Sequence, residues 1–216
     1  MQEGPAPTRL LKFVAHSHRA ASIAIRHGWM PGARYTNLRD ARRFERLGFL
    51  DIDWKSYNFP RHLEAARFTR PLLTVARDVE DIREINRTLD EAHQLQMYAE
   101  KVVIVPKDPQ LEGCLDTLIP ESFVLGYSVP TRYGGTSLPL TSFRRSVHLL
   151  GGRPDEQRRL AHFLPVTSLD CNRFTLDARY GDYFDGSRFR PHPNGGYDRC
   201  IEDSIVNINR LWHDYE

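Results

Sequence analysis

Eight times along these 216 residues a short apolar run, rich in β-branched side chains, ends in polar residues or glycine and gives way to a different pattern. The runs occupy residues 12–16, 33–37, 48–53, 72–78, 102–106, 123–128, 147–152 and 166–170. They are continuously apolar rather than alternating, so both faces of each strand are buried, as in a parallel sheet covered by helices. Helical patterns lie between them, near 17–27, 39–47, 59–68, 79–99, 153–163 and 198–212. In the clearest, Val79, Ile82, Ile85, Leu89, Ala92 and Leu95 form one stripe. Eight strands alternating with helices predict an α/β fold, a compact (β/α)8 barrel of the TIM type. It spans 1–216 as a single domain, with a short flexible tail at 1–8 and a long ordered loop near 175–197. The chain is short for that architecture, so 113–122 and 129–146 are expected to be loops rather than full crossover helices. Ile201, Ile205, Ile208 and Trp212 share one face of the last helix, which is expected to close the barrel. The competing open doubly wound sheet usually carries a glycine-rich phosphate loop, and neither G-x-G-x-x-G nor a Walker sequence is present.

Composition excludes several classes. No apolar run approaches the roughly 20 residues that cross a bilayer. The opening MQEGPAPTRLLKF lacks the apolar stretch of a secretory signal, so a cytoplasmic protein is expected. Cys114, Cys171 and Cys200 form no C-x-x-C pair, which argues against a disulfide framework and a zinc ribbon. The net charge of +2 conceals an asymmetry: residues 1–46 carry nine basic side chains against three acidic ones, for +6. Arginine also far outnumbers lysine. Guanidinium groups grip phosphate bidentately and stack on bases, which suits a nucleic-acid partner, whereas a solvated arginine-rich helix face is the plainer reading.

In parallel folds the chemistry sits at the carboxyl ends of the strands. Those positions hold His16 and His18, Asn37, Asp53 and Trp54, Arg77 and Asp78, Lys107 and Asp108, Gly126 and Tyr127, Gly151, Gly152 and Arg153, and Asp170, Asn172 and Arg173. Asp53, Asp78 and Asp170 come from separate strand ends and suit acid, base or nucleophilic work in one pocket. No cap-and-helix pattern follows Asp53 or Asp170 directly, whereas Asp78 precedes a long helix and reads equally well as its N-cap. Gly126, Gly151 and Gly152 would let a flat ligand lie against the backbone. Trp54 or Tyr127 would stack on it, although a large aromatic in a barrel is more often core. Arg34, Arg39, Lys107, Arg153, Asn172 and Arg173 are candidate nucleic-acid contacts, as are Arg132 and Tyr133 in a loop with Gly134 and Gly135.

The stretch from FVLGYSVP through SVHLLGGRPDEQRRLAHFLPVTSLDCNRF resembles the last strands of the tRNA-guanine transglycosylase family. Gly126, Gly151 and Asp170, the last in Leu169-Asp170-Cys171, match that family's glycine floor, strand-end glycine and nucleophilic aspartate, and Asp78 its base-recognising aspartate. The resemblance covers roughly 72–173. Two family features are absent: the D-S-G-G-F-Q motif, for which Asp53 is the available stand-in, and the zinc site of clustered cysteines and a histidine. What the resemblance implies is cleavage of an N-glycosidic bond without a metal or other cofactor. The loss of the tRNA-binding zinc extension and the basic amino-terminal segment point to DNA, either a duplex with a flipped base or a single strand. Asp170 would act at C1′ and Asp53 would move the proton, leaving an abasic site. A modified base in phage DNA would be the target, with a role in host defence. Exchange for an incoming deazaguanine is the alternative. Two further readings stay open: a barrel metallohydrolase using His16-x-His18, and a binding module without catalysis.

Overall fold

The computed structural model describes residues 10–132 and 134–215. The tail expected at 1–8, and Tyr133, lie outside the described residues. All eight expected strands are present. They are β1 Leu11–Val14, β2 Met30–Arg34, β3 Phe49–Asp51, β4 Leu73–Val75, β5 Lys101–Ile104, β6 Val124–Ser128, β7 Val147–Leu150 and β8 Val166–Asp170. Each pairs in parallel with the next, and β8 returns to β1 with Leu11 opposite Ser168 and Phe13 opposite Asp170, closing the barrel.

The helices are α1 His18–Arg26, α2 Phe59–Thr69, α3 Ile85–Gln96, α4 Leu115–Leu118, α5 Pro154–Leu160, α6 Arg173–Asp177 and α7 Tyr197–Leu211. Side-chain caps set two of the starts: Ser17 accepts the Ala20 amide at α1, and Asn58 accepts the Arg61 amide at α2. The barrel fits this length because three crossovers are abbreviated. One turn of α4 joins β5 to β6, a 3-10 turn at Leu140–Ser142 joins β6 to β7, and another at Ala41–Arg43 stands where a helix over 39–47 is expected. Among the described residues no helix is long and apolar enough to cross a membrane.

Four departures from the sequence reading have physical causes. First, β2 lies three residues earlier than the expected 33–37. Pro31 masks the strand in the sequence. Tyr35, which looks like strand, instead packs its ring on Tyr57 and His62 and donates its hydroxyl to the Ser56 carbonyl. Second, the helical pattern from 79 starts late. The Val79 amide donates to Val105 and its carbonyl accepts from Lys107, so Val79 extends the sheet edge, and Asp81 rather than Asp78 caps the turn at Ile82–Glu84. Third, the expected loop at 175–197 contains the end of α6, a 3-10 turn and an antiparallel hairpin, β9 Asp182–Phe184 with β10 Phe189–Pro191. The Asp185 carboxylate accepts the Ser187 and Arg188 amides to form its turn. Fourth, α7 does not close the barrel. Its buried Ile201, Ile205 and Ile208 pack it outside, against α1 and β9.

Inside the barrel, Phe13 stacks on Phe49 with centroids 5.5 Å apart, and Phe49 meets the His148 ring at 5.1 Å. The fully buried His148 shares a 2.8 Å hydrogen bond between Nδ1 and Ser168 Oγ. Above them, Gly126 leaves room for its neighbours: an added Cβ would stand 2.7 Å from both Val103 Cγ1 and Val105 Cγ2. Branched valines cannot swing aside at χ1. Gly126→Ala is therefore expected to cost about 1–3 kcal/mol through overpacking, read as a lowered Tm in thermal unfolding.

Candidate active site at the barrel mouth

Strand ends, short crossovers and Thr131, Gly134 and Gly135 enclose a cavity of about 630 Å3 at the carboxyl face of the barrel. Asp170, the last residue of β8, reaches it as a buried side chain whose oxygens are both engaged. Oδ1 accepts the Gly151 amide at 3.0 Å, and Oδ2 accepts Asn172 Nδ2 at 3.3 Å. Asn172 is itself fixed, since its Oδ1 accepts the Ala15 amide at 2.8 Å. From α5, the buried Gln157 donates to the main-chain carbonyls of both Gly151 and Asp170, at 2.7 and 2.8 Å, tying the tips of β7 and β8 together. Beneath, His148 Nε2 lies 3.7 Å from Asp170 Oδ1 and has no hydrogen-bond partner.

The second carboxylate in the depth of the cavity is Asp51, the last residue of β3, which the sequence reading passed over for Asp53. Its side chain is 23 % exposed, with Oδ2 3.9 Å from Arg34 Nε. Burial, and then the negative charge of Asp170, push its pKa from the ordinary carboxylate range up to about 7, against the opposing pull of Arg34 and the Ile52 amide. Asp53 also lines the cavity, two residues beyond the strand end and nearer the rim. In the Asp51-Ile52-Asp53 alternation both acids point to the same side, so the sequence signal was present but the strand end was set one pleat too far.

Asp78 completes the acidic set and pairs with Lys107 Nζ at 2.5 Å. Burial raises its pKa, while Lys107 draws it back down. Trp54 stands on the rim, 50 % exposed, with the ammonium groups of Lys55 and Lys107 at 5.2 and 5.6 Å from its ring. Arg34, Lys107, Asn172, Gly151 and Gly152 share the same walls. Gly151 adopts φ +61 and turns its amide onto Asp170, so that amide is not free to hydrogen-bond a ligand. At Gly152, with φ +88, a Cβ would stand 2.5 Å from Val129.

Other candidates lie elsewhere. Tyr127 is buried in the outer layer, its ring edge-on to Phe143 at 5.3 Å, so it cannot stack on a ligand in the mouth. Gly126 sits under the floor, packed by valines rather than by a ligand. Arg153 pairs with Asp155 and Arg173 with Asp177, and both guanidinium groups cover the Phe189 ring, which ties the hairpin to the barrel top. Arg39 holds Asp40 beside a neighbouring chamber. Arg132 belongs to the loop whose Thr131, Gly134 and Gly135 line the cavity. Thr131 and Gly134 exchange backbone hydrogen bonds, which closes a tight turn. His16 and His18 diverge: the former meets Arg179, the latter stacks on Phe44 at 5.3 Å, so the pair does not present two nitrogens to one ion. Among the described residues no three metal-ligating side chains converge.

No curated protein matches the chain. The model of a family described as a family of unknown function (DUF6610) matches residues 24–213, and the chain belongs to that family.

Proposed function

We propose that this protein cleaves the N-glycosidic bond of a nucleobase in DNA, using Asp170 and Asp51. The observation that carries the reading is the contrast between these two carboxylates in one cavity. Asp51 holds its proton up to about pH 7, while Asp170 is oriented by two N–H donors. A carboxyl that keeps its proton toward neutral pH can serve as proton donor beside a second, oriented carboxylate that serves as nucleophile, and glycosidic chemistry needs both. Asp170 attacks C1′ as the C1′–N bond breaks, the bonding pair leaves with the base, and Asp51 supplies the proton the base takes up. Water then attacks C1′, frees Asp170, returns a proton to Asp51 and leaves an abasic sugar. An incoming base in place of water gives base exchange. The proton-transfer role thus moves from Asp53 to Asp51, with Asp53 on the rim.

A cavity of about 630 Å3 takes one flipped nucleotide. Asp78 offers an acceptor to the base edge, as the resemblance to the tRNA-guanine transglycosylase family implies, and likeness to that family's barrel is part of the same proposal. Trp54 offers a stacking face beside two lysines. Base stacking on an exposed aromatic is worth about 1–3 kcal/mol. Trp54→Ala is accordingly expected to weaken binding of a labelled single strand about tenfold in fluorescence anisotropy, with Tm unchanged.

The test of the reaction is a panel of unmodified and phage-modified DNAs. Free base is followed by mass spectrometry and abasic sites by alkaline strand cleavage. Base release supports the reading and names the substrate. No release from any DNA, with or without free deazaguanine bases, overturns it.

A further inference from the structure

Behind Arg34 and Asp51 a second chamber of about 390 Å3 opens between the ends of β1 and β2. It shares Arg34, Asp51 and Asn172 with the main cavity, so one side-chain layer separates the two. Three guanidinium groups line it, those of Arg34, Arg39 and Arg179. The carboxylates present do not neutralise them all. Asp40 is held by Arg39 through two hydrogen bonds of 3.0 and 3.3 Å and accepts the His18 amide at the start of α1. Asp51 stands 3.9 Å from Arg34, beyond hydrogen-bonding distance. Arg179 meets no carboxylate among the described residues; its guanidinium lies 3.4 Å from His16 Nε2. Burial and the charge of Arg179 push the pKa of His16 down, so the imidazole stays neutral beside that cation.

We propose that this chamber holds a phosphate group of the substrate, gripped by Arg179 and Arg34, while the attached nucleotide places its base in the main cavity. The inference rests on the nucleobase reading above and extends it to the backbone. Arg179, which meets no carboxylate among the described residues, and Arg34, whose Asp51 neighbour stays 3.9 Å away, together fit a phosphate, whose oxygens accept paired N–H donors. The shared wall puts the sugar between the chambers, over Asp51, where the glycosidic bond has to lie. A phosphodiester of DNA and the phosphate of a free nucleotide share this chemistry, and the experiment separates them.

The probes are a fluorescein-labelled single-stranded dodecanucleotide, followed by anisotropy across a salt series, and dGMP, followed by calorimetry. Arg179 is exposed, so Arg179→Ala is expected to fold with an unchanged Tm. It should bind the dodecanucleotide about five- to tenfold more weakly, with the slope of log affinity against log salt reduced by about one. Arg179→Lys should restore the slope, because the charge remains, but only part of the affinity. Arg67→Ala, an exposed arginine at the far end of α2, controls for loss of any positive charge. Weakening of both probes assigns the site to the backbone phosphate; weakening of dGMP alone keeps the site and assigns it to a free nucleotide. If Arg179→Ala changes neither probe more than Arg67→Ala, or if wild type binds neither, the proposal falls. Base release is not the readout, so the phosphate site survives a failed glycosidase assay, and base release with unaltered Arg179→Ala binding removes the site alone.

Discussion

Asp170→Asn is expected to lower base release more than a thousandfold while the protein stays folded. The substitution keeps the shape of the side chain and removes the carboxylate that the proposed reaction bonds to C1′. Its structural cost is small and calculable from the partners. Both Asp170 oxygens accept N–H donors, from Gly151 and Asn172. An asparagine keeps its oxygen toward one and turns an NH2 toward the other, leaving one donor unpaired at about 1 kcal/mol or slightly more. Removing a negative charge from beside Asp51 works in the opposite direction, since the Asp170 charge, after burial, is a cause of the raised Asp51 pKa. Tm should therefore stay within a few degrees of wild type. Binding of a labelled single strand should also persist, because Trp54, Arg34 and Lys107 remain. Full base release by Asp170→Asn, measured by mass spectrometry, would remove Asp170 from the chemistry.

The barrel was legible because burial on both faces writes itself into sequence as unbroken apolar runs, eight of them, with no glycine-rich phosphate loop to favour an open doubly wound sheet. What escaped were features whose determinants lie in three dimensions. β2 begins at Met30 and includes Pro31, so propensity points past it to Tyr35, which only tertiary packing on His62 explains. The strands of the β9–β10 hairpin are three residues each, too short to display a period of two. Asp170, Asp78 and Trp54, which line the cavity, stand out in the sequence because they end or follow strands. Asp51 was missed because two acids of one alternation compete for the strand end, and only the register with β2, Arg34 opposite Asp51, settles which lies deeper. Gln157 gives no signal at all: it reads as a polar helix residue, and its clamp on Gly151 and Asp170 exists only once α5 lies across β7 and β8. Gly126 was read as space for a ligand, but the space belongs to Val103 and Val105.

Asp51→Asn should separate catalysis from stability in opposite directions. In the wild type the folded protein holds the Asp51 proton up to about pH 7, whereas the unfolded chain releases it near the ordinary 3.8. With a raised folded pKa, the stabilising contribution is fully present below the unfolded value. It is lost progressively as pH rises and is gone above about pH 7. An asparagine carries no such penalty, so variant and wild type should melt together near pH 4 and diverge upward. By pH 8 the variant gains up to about 4 kcal/mol, read as a Tm higher by up to roughly 10 °C. Activity should move the other way. Loss of a general acid costs about 10²–10⁴-fold, and the wild-type decline in base release above pH 7 should vanish in the variant. A base that departs without a proton, such as 7-methylguanine with its fixed positive charge, needs no acid. Asp51→Asn should release it at close to the wild-type rate, while Asp170→Asn should not. Equal loss on both substrates would mean that Asp51 shapes the pocket rather than supplies the proton, and an unchanged Tm at pH 8 would mean that its carboxylate is comfortable where it lies. In the proposed reaction, the burial and the Asp170 repulsion that weaken the fold at neutral pH are also what would keep a proton on Asp51 for the leaving base.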